Sequence, residues 1–286
     1  MSRDYQLVQL ANGQQTLFSS GYGEKMHPGL GPQAEAELLY VRQLRICERL
    51  QAQTGEFVIW DVGLGAAANA ITTLRSTAEI SGRLRLVSFD NTDEPLAFAL
   101  ENSAALGYPV GYETQLGALL QDHRVEFTTG KLEVSWELHL GDFPSWLVQT
   151  SAPKNVPPPH AIFYDAFSPA KNPGMWTLPL FEDLFRLTDP QRPCALTTYS
   201  RSTLLRATLL LAGFLVGVGH ATGMKEETTV AANTLDLITE PLNARWLERA
   251  LRSDSAEPLR EAVYSRAPLA ALTADRLRQH PQFNLA

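Results

Sequence analysis

The sequence predicts an α/β fold: a mostly parallel sheet with helices on both faces. Three observations carry this. From about residue 56 to 240, apolar strand-like runs alternate with helix-like runs, the pattern of parallel strands joined by helical crossovers. The runs "FVIWDVG", "LRLVSFD" and "HAIFYDAF" are apolar throughout rather than at every second residue, as strands buried on both faces must be. Four successive strands also finish on an aspartate, at Asp61, Asp90, Asp142 and Asp165.

In chain order, "YQLVQL" and "QQTLFS" flank Asn12-Gly13 and read as a hairpin, because both turn residues tolerate positive φ. Residues 21–32 are rich in Gly and Pro and read as irregular. A helix is expected over 33–53, with Leu38, Leu39, Val41, Leu44, Ile46 and Leu50 on its apolar face. The strand ending at Asp61 leads into the helical "AAANAITTL", and the strand ending at Asp90 into "EPLAFALENSAAL". "RVEFTTGKLEVSWELHLGD" reads as a hairpin around Thr129-Gly130. Residues 150–160, "TSAPKNVPPPH", form a surface loop before the strand that ends at Asp165. "LPLFEDLFRLT" is helical, "PCALTTYS" a strand, and "RSTLLRATLLLAG" a helix that stops at Gly213. "FLVGVGHA" and "TTVAAN" read as a closing strand pair, and the rest as two or three modest helices separated by prolines. The organisation expected is an N-terminal hairpin, loop and helix over 1–55, a core over 56–240, and a helical tail over 241–286 packed on the core.

The chain of 286 residues suits one α/β core with additions. A formal charge of −7 argues against a broad nucleic-acid coat, though not against one local basic patch. Cys47 and Cys194 lie in apolar segments, with no zinc spacing or disulfide framework. The N-terminus lacks the basic start and apolar run of a signal peptide, and the longest apolar run, "LLLAGFLVGVG", is too short to span a bilayer. A cytoplasmic protein is expected.

In an open α/β sheet the ligand crevice lies beyond the carboxyl ends of the strands, so the four aspartates should converge on one cleft. In "DVGLGAAAN", Gly63 and Gly65 allow a close approach of backbone to ligand, and the following helix brings free N–H groups. The loop lacks the lysine and hydroxyl of a phosphate loop and a third glycine at dinucleotide spacing. Asp90, at the end of the next strand, suits the ribose hydroxyls of an adenosine. NAD and S-adenosylmethionine both fit to this point. A closing strand pair of this kind suits the antiparallel seventh strand of a class I methyltransferase.

"FYDAFSPAKNPGMWT" resembles the strand-and-loop signature of the methyltransferase half of the MnmC family, which modifies the wobble uridine of certain tRNAs. Asp165, Phe167, Pro169, Ala170, Lys171, Asn172, Pro173, Met175 and Trp176 fall on that pattern in order. "DVGLGAAAN" resembles the family's cofactor loop, with Ala66 where the family has a third glycine. "GYGEKMHPGLGPQAEAELLYVRQL" resembles its entry segment and "GMKEETTVA" its terminal stretch, so the likeness covers about residues 15–235. Departures are Asp90 for a glutamate and Ala166 for a glycine.

The resemblance implies a class I, Rossmann-like fold with a seven-stranded, mostly parallel sheet. It implies methyl transfer from S-adenosylmethionine to the aminomethyl group of 5-aminomethyl(-2-thio)uridine in a tRNA anticodon loop. No flavin oxidase half is matched, so a standalone form with a possible separate oxidase partner is expected. Asp165 is then the catalytic group, orienting the amine. Tyr22, Glu24, Asp61, Gly63, Gly65, Asn69, Asp90, Asp142 and Asp165 are the expected cofactor contacts. Pro169, Lys171, Met175, Trp176 and Lys225 are the expected substrate contacts. Trp176 reads equally as a core anchor, and Lys171 and Lys225 as solvated lysines. His27 has no partner histidines to make it a metal ligand, and no metal is expected. Phosphate contacts would come from a cluster such as Lys171, Arg201, Arg206 and Lys225. Three rival readings are a methyltransferase of a small-molecule or protein amine, a non-catalytic S-adenosylmethionine-binding module, and, more distantly, a dehydrogenase.

Overall fold

The computed structural model describes residues 4–149, 156–223 and 226–284. Strand β1 (Tyr5–Gln9) pairs antiparallel with β2 (Gln15–Ser19), Leu7 opposite Leu17, across a turn in which Gly13 has φ 85°. The stretch read as irregular contains a short third strand, β3 (Glu24–Lys25), paired with the end of β2. This pairing directs Met26 back over the main sheet's first loop, where its sulfur lies 3.4 Å from the place a Cβ on Gly65 would occupy.

The single helix expected over 33–53 is three pieces. Pro32–Ala36 is α-helical, Glu37–Arg42 winds as a π-helix, and Ile46–Gln51 is α-helical again after Arg45 takes φ 50°. The cause is burial: Leu39, Tyr40 and Val41 are consecutive and all buried, as are Leu44, Ile46 and Leu50. An α-helix turns by about 100° per residue and buries only a stripe, so burying three in a row favours the wider winding.

The main sheet has eight strands, one more than expected. They are β4 (Glu56–Val62), β5 (Gly82–Asp90), β6 (Arg124–Thr129), β7 (Leu132–Leu140), β8 (Ala161–Tyr164), β9 (Ala195–Thr198), β10 (Leu215–Gly219) and β11 (Thr228–Ala232). Their spatial order is β10-β11-β9-β8-β4-β5-β7-β6. Strands β7, β5, β4, β8 and β9 run parallel, and β11 sits antiparallel between β9 and β10, as the closing pair implied. The extra strand is β6, the outer arm of the Thr129-Gly130 hairpin, added antiparallel at the edge. It alternates exposed and half-buried residues, as an edge strand with one covered face does.

Side-chain parity decides where the aspartates face. On β4, Phe57 and Ile59 join one core layer, and Val58, Trp60 and Val62 the other. The same alternation puts Leu84 and Leu86 of β5, and Ala161 and Phe163 of β8, in the first layer. Counting on by twos, Asp61, Asp90 and Asp165 belong to that same face, on three adjacent strands. The order reverses between β4 and β8, because the chain leaves β4 for β5 on one side and fills β8 and β9 on the other. Their carboxyl ends therefore open a crevice there.

Helices Ala244–Ala250 and Ala271–Arg278 pack Trp246 and Leu277 into the second layer. Beyond them the side chain of buried Gln282 accepts from Val216 N at 2.7 Å and donates to the oxygens of Val216 (2.7 Å) and Leu242 (2.8 Å). It thus pairs with the outer strand as another strand would. Cys47 is half-buried and Cys194 buried, both free thiols, and burial pushes the Cys194 thiol up to about 12. Of the loop expected over 150–160, residues 150–155 lie outside the described residues. Among the described residues no helix is long and apolar enough to cross a membrane.

Candidate active site

A cavity of about 550 Å³ opens at the switch point, within the range of small-ligand sites, roughly 300–1,000 Å³. Its floor is the loop between β4 and the helix Ala68–Thr77. Here Gly63 (φ 91°), Gly65 (φ 52°) and Ala67 (φ 61°) alternate through left-handed conformations. The third turn falls on Ala67 and not on Ala66, so alanine in place of a glycine at 66 causes no backbone strain. Gly63 is required by close approach: a Cβ there would lie 2.9 Å from the Asp165 carbonyl oxygen.

Asp90 lines the cavity and already accepts from Gly65 N on one oxygen (2.8 Å) and Asn91 N on the other (2.8 Å). Burial pushes its pKa up, and those N–H groups pull it back. Asp142 also lines the cavity and caps the helix Phe143–Gln149, one oxygen accepting from Ser145 N at 3.0 Å. Asp165 lies just past β8, with 16% side-chain exposure. Its Oδ2 accepts from Asn69 Nδ2 at 2.8 Å.

Asp61 and Asn69 do not line the cavity, which corrects their expected direct contact with a cofactor. Asp61 is wholly buried inside β4. One oxygen accepts from Ser88 Oγ at 3.2 Å, and the other has no hydrogen-bond partner among the described residues. Burial, with Asp165 and Asp90 nearby, pushes its pKa up to about 7 against the pull of Ser88. Asn69 is buried beneath Asp165 and positions it. Tyr40, on the π-helical turn, is also buried, and burial together with the neighbouring Asp165 holds its phenol well above the usual range.

The entry segment covers the other side. Tyr22 stacks on Phe167, ring centroids 4.1 Å apart at 17°, and the Glu24 carboxylate accepts from Ser168 N (3.2 Å) and Ser168 Oγ. These contacts tie the N-terminal hairpin to the loop after Asp165. That loop is also held from below. Trp176 Nε1 donates to Phe167 O (2.7 Å), Tyr199 Oη donates to Ala166 O (2.9 Å), and Tyr164 Oη donates to Met175 O. Trp176 is fully buried and outside the cavity lining, so it is the core anchor and not a substrate contact. Met175 lines the cavity, whereas Pro169 and Lys171 do not. Lys171 is exposed, its Nζ lying against the Gly23 turn. Arg206, expected in a phosphate-binding cluster, is buried and committed to Glu227, Thr229 and Thr228 O. Lys225 lies outside the described residues.

Sequence reading set His27 beside Glu24 in the entry segment without a chemical role, and missed three contributors: Glu35 on the cavity wall, Tyr199 near it, and Tyr40 beneath. The "GEKMH" segment was the available signal for His27. Glu35 and Tyr40 had none, because a helix face looks the same whether it meets core or site. The wall carries Glu24, Glu35, Asp90, Asp142 and Asp165, and Lys25 is the one lysine or arginine among the described residues lining it. Such a field favours cations. Among the described residues no group of three potential metal ligands occurs.

A family model described as S-adenosyl-L-methionine-dependent methyltransferase matches residues 110–234. Curated relatives carry the name tRNA 5-methylaminomethyl-2-thiouridine biosynthesis bifunctional protein MnmC. That of Ectopseudomonas mendocina is 31% identical over 88% of this chain and 38% of its own length. That of Pseudomonas aeruginosa is 32% identical over 78% of this chain and 35% of its own. The chain thus spans about a third of the length of the curated relatives it matches. The crystal structure of MnmC2 from Aquifex aeolicus is similar at TM-score 0.67 and 24% identity, over 97% of this chain and 85% of that one. A spermidine synthase in complex with a transition state analogue, AdoDATO, shares the fold at TM-score 0.51 and 11% identity, covering 96% and 84%.

The site's residues fit S-adenosylmethionine. The volume is adequate, Gly65 leaves the loop without a side chain at the cavity, the next helix has no side-chain cap on its N-terminus, and the acidic wall suits a sulfonium. Fold, site chemistry and relatives agree: the chain is an MnmC-like, S-adenosyl-L-methionine-dependent methyltransferase.

Proposed function

We propose that this chain methylates the exocyclic amine of 5-aminomethyl(-2-thio)uridine at the wobble position of tRNA. The observation that carries the reading is Asp165, held by Asn69 at the reacting end of an acidic cavity and followed by a loop pinned at Ala166, Phe167, Ser168 and Met175. The names of the curated relatives supply the substrate class.

S-adenosylmethionine, when bound, supplies a methyl group already activated by its sulfonium. The Gly63–Gly65 loop, Asp90 and Asp142 are the groups to hold its adenosyl part, and Tyr22 and Glu24 close over it. What remains for the protein is alignment, worth roughly 7–11 kcal/mol when complete. Asp165 accepts an N–H hydrogen bond and aims the amine's lone pair. A loop ordered before binding loses little entropy when the substrate arrives. Met175 offers an apolar wall to an unpaired base.

The test is tritiated methyl transfer to tRNA from cells lacking this modification, with Asp165→Asn alongside. We expect incorporation by the unmutated protein and a loss of about 100-fold in the variant. No incorporation sinks the tRNA reading. A second reading, a small-molecule or protein amine as acceptor, draws on the acidic wall and on Arg206 being committed elsewhere. A tRNA affinity that does not fall with added salt would favour it.

A further inference from the structure

His27 and Glu35 meet Asp165 at the reacting end of the cavity and have no role in the account above. His27 Nε2 lies 3.9 Å from Asp165 Oδ2, and its Nδ1 lies 4.0 Å from Glu35 Oε2. All three line the cavity, with side-chain exposures of 14%, 16% and 12% for His27, Asp165 and Glu35. The arrangement is built into the backbone. His27 takes φ 50°, and Glu35 Oε1 accepts from Gly29 N (2.6 Å) and Leu30 N (2.9 Å). Those bonds close the turn between the two residues and leave Oε2 toward the ring. The 3.9 Å gap is too long for a direct bond, but one nitrogen about 2.9 Å from both atoms bridges it.

We propose that His27 is the proton acceptor for the methyl-accepting amine. This rests on the amine reading above. An aminomethyl group enters as an ammonium, and the surrounding carboxylates favour that form, which has no lone pair. In the bridging position one N–H faces Asp165 Oδ2 and another faces His27 Nε2. One proton passes from the ammonium nitrogen to Nε2. The amine is then neutral, its new lone pair still facing Nε2–H, and the imidazolium faces the Glu35 carboxylate, which stabilises it. The ring releases that proton to solvent before the transfer, and rotation about the C–N bond then sets N–H groups toward both Oδ2 and Nε2 and turns the lone pair to the methyl. Asp165 stays anionic throughout, so an acidic pocket binds the cation and still presents it as a nucleophile. The other titratable groups around the ring are Glu24 and Lys25 on its own segment, Tyr199 and Asp90 on the cavity wall, and Asp61 and Tyr40 beneath Asp165.

The test is kcat/KM for methyl transfer from pH 5.5 to 9, for the unmutated protein, His27→Gln and Glu35→Gln. His27→Gln should lose about 100-fold at pH 7. The loss should shrink as pH rises, because the amine then deprotonates in solution. A uniform loss at every pH, or none, overturns the proposal. Glu35→Gln should lose more at pH 7 than at pH 9, since the imidazolium formed in the step loses its facing carboxylate; an equal loss at both also overturns it. Calorimetric binding of S-adenosylmethionine to His27→Gln, expected within threefold of the unmutated protein, checks that the site still forms. His27→Asn, taken through the same pH series, decides the matter if His27→Gln does not fold. If the unmutated protein methylates a small amine but not tRNA, the tRNA reading falls, and the same pH series on that amine upholds this proposal if the His27→Gln loss shrinks with pH and overturns it if the loss is uniform. Transfer to no amine at all overturns both.

Discussion

Asp61→Asn isolates the cost of a buried acid. Asp61 is wholly buried, with one oxygen bonded to Ser88 and the other without a partner among the described residues. Burial raises its pKa from the ordinary 3.8 to about 7. Between those two values the folded protein holds a proton that the unfolded chain has released. Stability from this group is therefore fully present below about pH 4 and is lost as pH rises toward 7. At 1.36 kcal/mol per pH unit the loss amounts to about 4 kcal/mol. Asparagine has the same shape, accepts from Ser88 and does not titrate. The variant should match the unmutated protein near pH 4 and exceed it by up to about 4 kcal/mol at pH 8. Urea unfolding of both proteins at pH 4, 5, 6, 7 and 8 measures the difference. A difference that stays flat across that range refutes the reasoning, because Asp61 would then titrate alike in both states.

Asn69→Ala removes the 2.8 Å bond to Asp165. A hydrogen bond to a charged group is worth about 1.5–3 kcal/mol, so kcat should fall about 10- to 100-fold, while calorimetric affinity for S-adenosylmethionine changes less than threefold. Gly63→Ala combines a left-handed backbone with a Cβ 2.9 Å from the Asp165 carbonyl oxygen, a contact between two backbones that cannot swing aside. It should destabilise the protein by about 2–5 kcal/mol, read as a fall in Tm by calorimetry. Ala66→Gly, at a position with no left-handed requirement, should give no gain and serves as the control.

The alternation of strands and helices, the all-apolar strands and the aspartates at their ends followed from sequence, because each is a local pattern set by burial on a period of two or on both faces. The hairpin turns at Gly13 and Gly130 and the closing antiparallel pair followed likewise. The broken helix over 32–51 did not, since packing against the sheet, and not local propensity, chose the π-helical turn.

The site divided in the same way. Sequence alone determined that Asp61, Asp90, Asp142 and Asp165 fall at the ends of successive strands; the strand order and the two core layers then put Asp61, Asp90 and Asp165 on one face. Only the tertiary structure decided which of them reaches a ligand. Asp61 lies one residue before the end of its strand and is wholly buried, whereas Asp165 stands one residue beyond its strand and lines the cavity. Trp176 went to the core because its N–H satisfies Phe167 O, and His27 reached Asp165 because β3 folds the entry segment across the sheet. Contacts between residues more than a hundred positions apart depend on how the chain closes on itself, and no local pattern encodes that distance.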